Sequence, residues 1–170
     1  LPWFGWPQGD PDRDAKAAER FDDYYADLLA VCRQLKLPIC FRGTQWEAML
    51  LGKEYRQLPP DQCPAVIAPE GKVIAKLCPL GPVDKWRDPA REYVDTPAMK
   101  KLQSLYPDPP LVLFVSNNEA PDLRWHQVET SQRYLAKYGA GRPDEFKRKV
   151  VAKGWMERYP VMFGAMRDAL

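Results

Sequence analysis

The run Leu111-Val112-Leu113-Phe114-Val115-Ser116 constrains the fold more than any other part of the chain, because unbroken apolar sequence stops there against Asn117-Asn118-Glu119. Leu, Val and Phe without polar alternation, preceded by Pro107-Asp108-Pro109-Pro110, match a strand covered on both faces. Strands of that kind belong to parallel sheets, and parallel neighbours must be joined by crossover connections, usually helices. In parallel α/β architectures ligands gather at the carboxyl ends of the strands, so Asn118 and Glu119 are the first candidates for function. Asn-Glu alone is only a two-residue motif. Its plainer alternative is a polar turn after a core strand.

The rest of the chain supplies elements such a sheet needs. Leu1-Pro2-Trp3-Phe4-Gly5-Trp6-Pro7 reads as a loop leaving a strand at or before the start. From about residue 15 to 36, Phe21, Tyr25, Leu28, Cys32 and Leu35 recur at helical spacing and predict one buried stripe, stopped by Leu37-Pro38. Ile39-Cys40-Phe41 is a short strand ending in Arg42-Gly43-Thr44-Gln45-Trp46, with a helical turn or two from Glu47 to Leu51. Residues 65–68 and 73–77 read as a hairpin about Pro69-Glu70-Gly71-Lys72, which sets Cys63 opposite Cys78. Thr96 is a natural N-cap with Pro97 at the first helical position, and Met99, Leu102, Leu105 and Tyr106 give that helix its apolar face. After Glu119, Ala120-Pro121-Asp122 starts a helix toward Tyr138, broken by Gly139-Ala140-Gly141. Pro143-Asp144 starts the last helix, which Pro160 is expected to kink or break before Met162, Phe163 and Met166. This alternation predicts right-handed β-α units around a parallel sheet. The final helix is expected to leave an apolar face uncovered in the isolated chain.

Composition excludes several classes. With 170 residues, 45% of them hydrophobic, the chain has enough apolar mass for one domain with its own core. The 25 basic and 23 acidic residues nearly cancel, and no Lys/Arg run is interleaved with aromatics. A nucleic-acid or anionic-membrane surface therefore has no support, and a neutral or weakly charged ligand fits better. No stretch reaches the roughly 20 apolar residues that span a bilayer, and no signal-peptide core is present. The start at Leu1-Pro2, without an initiator Met, fits a processed chain or an excised fragment. Four cysteines, at 32, 40, 63 and 78, have no CxxC spacing and only one His to join them, so a zinc site is not expected. A Cys63–Cys78 disulfide would suit a secreted or periplasmic protein, but buried free thiols are an equal alternative, and the compartment stays open.

Across most of its length this order of elements resembles the first half of a retaining clan A (β/α)8 glycoside hydrolase, an α/β TIM barrel. In that resemblance residues 1–170 form one partial barrel domain with a hairpin insertion at 63–78. Strand one precedes the Trp3-Phe4-Gly5-Trp6 segment, strand two is Ile39 to Phe41, Lys76-Leu77-Cys78 approaches strand three, and Leu111 to Ser116 is strand four. The clan's acid/base Glu follows an Asn at the end of strand four, where Asn118-Glu119 stands here. Arg42 matches an Arg at the end of strand two that helps hold the nucleophile. The clan's nucleophile follows strand seven, so no residue here is carried over to that role. The resemblance implies that the remainder of the barrel lies C-terminal to this chain, and the isolated chain is not expected to hydrolyse glycosides.

The implied function is hydrolysis of a poly- or oligosaccharide by two carboxyl groups about 5–5.5 Å apart, without metal or cofactor. Glu119 would protonate the leaving oxygen, which requires a raised pKa in a partly desolvated cleft. Asn118 would donate to the sugar 2-hydroxyl. Trp3, Trp6, Trp46, Trp86 and Trp125 fall in segments the resemblance puts on the strand-end face, where indole rings suit the C–H faces of sugars. Any one of them is more readily explained as packed beneath a loop, and Trp155 as core. His126, the single histidine, would border the same cleft, although a lone His is more often a loop residue. Two rivals are a non-catalytic carbohydrate-binding barrel protein and a barrel enzyme of another class, such as a lyase.

Overall fold

The computed structural model describes residues 3–5, 16, 26–37, 40–43, 51–95, 100, 104, 112–115 and 122–169. The chain divides into two compact units, one of Leu1–Trp46, Glu92–Asn118 and Ala169–Leu170, the other of Glu47–Arg91 and Glu119–Asp168. Five strands are formed by the described residues: β1 (Trp3–Gly5), β2 (Cys40–Gly43), β3 (Ala65–Ile67), β4 (Val73–Leu77) and β5 (Val112–Val115).

In the first unit β1, β2 and β5 make a parallel sheet in the order β1-β2-β5. Trp3 pairs with Cys40 and Gly5 with Arg42, while Cys40 pairs with Val112 and Gly43 with Val115. The apolar run at 112–115 is thus a parallel strand, as its lack of alternation requires. Two expectations are corrected. Trp3-Phe4-Gly5 is strand, where Gly and aromatic punctuation read as a loop. And β5 lies directly against β2, with no strand between them: the segment ending at Lys76-Leu77-Cys78 has its ladder engaged by β3 and, among the described residues, meets a parallel partner at one bridge, Leu77 to Asp122. Among the described strands the run at 112–115 is therefore the third in its sheet.

The helix α1 (26–34) connects in sequence between β1 and β2. It buries Leu29 and Cys32, while Leu28 and Leu35 are exposed. Of the predicted stripe Cys32 is buried as expected, but Leu29 is buried where Leu28 was expected, because the sequence carries two apolar rows, Leu28/Val31/Leu35 and Leu29/Cys32. Periodicity gives the helix but cannot choose between adjacent rows. Lys16 is helical too, and Leu51 of the turns expected from Glu47 to Leu51 is a turn residue; residues 15, 17–25 and 47–50 and the Thr96-Pro97 start lie outside the described residues.

The second unit begins with the short helix α2 (Lys53–Arg56) and the hairpin β3–β4. The turn forms where Pro-Glu-Gly-Lys predicts it: Gly71 takes φ +83°, its N–H donates to the Ala68 carbonyl and the Ala68 N–H to Lys72, each at 2.8 Å. A positive φ of this size is cheap only for glycine. An irregularity between Ala65 and Val66 shifts the ladder so that Cys78 N–H donates to Pro64, at 3.0 Å, instead of standing opposite Cys63. Cys63 and Cys78 are buried free thiols, as is Cys32.

A 3-10 turn, Asp84–Trp86, runs into α3 (Arg87–Val94). The helix expected toward Tyr138 is divided: a 3-10 helix spans Trp125–Thr130, Ser131 is extended, and α4 covers Gln132–Tyr138 before Gly139 at φ +73° ends it. The last helix, α5, is continuous over Asp144–Ala169. Pro160 does not break it. Its buried residues Val151, Gly154, Arg158, Met162, Ala165 and Met166 form one row through the proline, so the helix keeps its orientation. Met162 and Met166 are consequently buried and only Phe163 of the expected apolar face is exposed. The core of this unit joins Val66, Cys78, Leu123, Val128, Tyr134 and Val151. Gly154 lets α5 lie so close to Pro79 that a Cβ there would fall 2.1 Å from the Pro79 carbonyl oxygen.

Candidate functional site

Arg42 is the penultimate residue of β2, flanked in register by Gly5 of β1 and Phe114 of β5. Parallel pairing carries the carboxyl ends of all three strands to one edge of this sheet. In sequence, each of those ends leads directly into a segment singled out above: Trp6 after β1, Thr44-Gln45-Trp46 after β2, and Asn118-Glu119 three and four residues after Val115. Trp6, Trp46, Asn118 and Glu119 themselves lie outside the described residues. Trp3 opens β1, at the end of that strand away from the edge.

Trp125 and His126 belong to the second unit and are brought together, their rings edge to face at 5.5 Å and 86°. Trp125 opens its 3-10 helix half-buried, packed against the Val66–Val151 core, and His126 is exposed beside it. The guanidinium of Arg148, on α5, lies over the Trp125 ring at 4.3 Å. A sugar stacking on that face of the ring would have to displace the cation held there. Sequence could not reveal this, since Arg148 reaches the indole from 23 positions away. Trp86 takes the packed alternative: it is wholly buried, tilted against Trp155 at 5.8 Å and edge-on to Tyr159 at 6.0 Å. Trp155 packs against the core, where the sequence put it.

Around this face, Lys76 donates to the Gln127 amide oxygen at 2.8 Å. Glu129 accepts from the Gly141 N–H at 2.9 Å and pairs with Lys147 at 3.1 Å. The hydrogen bond from Lys147, with the Gly141 N–H, holds the Glu129 carboxyl below its ordinary range against an opposing desolvation. Deeper in the unit, burial pushes the Tyr134 phenol up and pulls the Arg158 guanidinium down. Arg158 nevertheless has partners, donating to the carbonyls of Gly154 and Gly81. Ser131 Oγ and Cys78 Sγ lie 3.5 Å apart, both fully buried. These buried groups lock elements together.

Among the described residues no group of three or more His, Cys, Asp or Glu could hold a metal ion, and no helix is long and apolar enough to cross a membrane. No protein-family model, curated protein or solved structure matches the chain.

Proposed function

We propose that the chain belongs to a carbohydrate-processing (β/α)-barrel enzyme of the retaining glycosidase type, with Glu119 as acid/base and Asn118 and Arg42 beside the reacting sugar. The observation that supports this reading is the parallel register of β1, β2 and β5, whose carboxyl ends share one edge and lead in sequence to Trp6, Trp46 and Asn118-Glu119. Parallel sheets use that edge for ligands. The strand-end position of Asn118-Glu119 carries the argument, and the ordinal of the strand does not. The nucleophile would be a second carboxylate, about 5–5.5 Å from Glu119, contributed by a segment to which no residue here corresponds.

The test is Glu119→Gln in the intact enzyme. The amide keeps the shape of the carboxyl group and loses its proton, so turnover on glycosides with poor leaving groups should fall by about 10²–10⁴-fold with little change in affinity. Aryl glycosides with good leaving groups should lose far less in the glycosylation step. An equal loss on both would remove the acid role from Glu119.

A further inference from the structure

We infer that Arg148, seated on Trp125 with His126 at its side, is a subsite for the carboxylate of an acidic sugar. The sugar part of this inference rests on the glycosidase reading above. The acid part rests on the local geometry. The Arg148 guanidinium carbon lies 4.3 Å from the centre of the Trp125 ring, and a guanidinium held on an indole keeps N–H groups to offer an anion. A guanidinium fork matches a carboxylate in bidentate fashion, and the half-buried indole gives it a seat before any ligand arrives.

The carboxylates that would ordinarily quench such a charge are engaged elsewhere. Those three and four residues earlier on α5, where helix neighbours pair, are Glu145, held by Lys149 at 2.7 Å, and Asp144, nearest Lys147 at 3.9 Å. Glu129 is likewise taken by Lys147. Among the described residues Arg148 has no carboxylate or carbonyl partner. The near balance of charge over the whole chain, 25 basic against 23 acidic residues, opposes a polyanion such as nucleic acid and favours one or two carboxylates. Such a ligand stays within the neutral or weakly charged class expected from composition.

The experiment is calorimetric titration of the chain with trigalacturonate and triglucuronate, with their methyl esters as uncharged matches, and with inorganic phosphate. One acid should bind about tenfold or more tightly than its ester. Arg148→Ala should bring that acid to the level of the ester, and Arg148→Lys should not restore it, since an ammonium lacks the fork. Arg148 is exposed, so both variants should keep the native circular dichroism. Equal binding of acid and ester overturns the inference and leaves the glycosidase reading intact. Phosphate displacing the acid at equal concentration overturns it in favour of an unselective anion site. Binding of neither acid nor ester overturns it, while Glu119-dependent cleavage of neutral glycosides decides separately whether the glycosidase reading survives.

Discussion

Two glycines on α5 are chemically identical and structurally opposite. At Gly154 a Cβ would meet the Pro79 carbonyl oxygen at 2.1 Å, whereas at Gly164 nothing lies within 4 Å. Alanine gains about 1 kcal/mol over glycine in a helix interior, and this gain is available at both positions. At position 154 it is overwhelmed, because a backbone carbonyl cannot swing aside and α5 would have to lift from the 79–81 segment, a cost of about 1–3 kcal/mol or more. That lift would also strain the hydrogen bond from Arg158 on α5 to the Gly81 carbonyl. Gly154→Ala should therefore lower the denaturant midpoint and Gly164→Ala should raise it, both read by urea unfolding. A midpoint for Gly154→Ala at or above that of the parent would show that the helix does not approach Pro79 so closely.

At the scale of elements, α5 keeps one buried row through Pro160, although an interior proline lacks an N–H and crowds the preceding turn. The cost is about 3 kcal/mol, partly offset by the about 0.4–1 kcal/mol that proline removes from unfolded-state entropy. Because the residue is exposed, Pro160→Ala should stabilise the protein by about 2 kcal/mol and raise its thermal midpoint in far-UV circular dichroism. This continuity was not legible in the sequence, since local propensity at Pro160 points one way and burial of Met162, Ala165 and Met166 the other. The hairpin was legible because Gly71 and its turn decide it within a few residues, and β5 was because its apolar run has no other economical environment. What covers Trp86, and what lies over Trp125, comes from the distant helix α5, which local sequence does not reveal. Electrostatics act at this scale too. Glu129 ties the 125–130 helix to Gly141 and to Lys147 of α5, and its carboxyl is held below its ordinary range. A depressed carboxyl contributes stability that is present above its unfolded pKa and lost as pH falls through its folded one. Glu129→Gln should lower stability at neutral pH and make the acid limb of a stability–pH profile shallower, with little difference remaining at the acid end.

For the molecule as a whole, the division into two compact units makes the buried thiols reporters of each. Cys32 is buried in the first unit, while Cys63 and Cys78 are wholly buried near the two ends of one hairpin in the second. A thiol at 0–2% exposure reacts with a maleimide only when its surroundings open, so the labelling of each cysteine measures an opening free energy. Cys63 and Cys78 share a unit, and their backbones are joined through Arg133, which donates to the Cys63 and Ala65 carbonyls, and through the bond from Cys78 N–H to Pro64. They should therefore label together as urea is raised. Cys32 depends on α1, in which only Leu29 and Cys32 are buried among residues 26–34. It should become reactive at a lower urea concentration than the hairpin pair, as resolved by pulse labelling and peptide mass mapping. A single midpoint for all three cysteines would mean that the two units unfold as one cooperative body, and a first reaction at Cys63 or Cys78 would reverse the order of stability assigned to them.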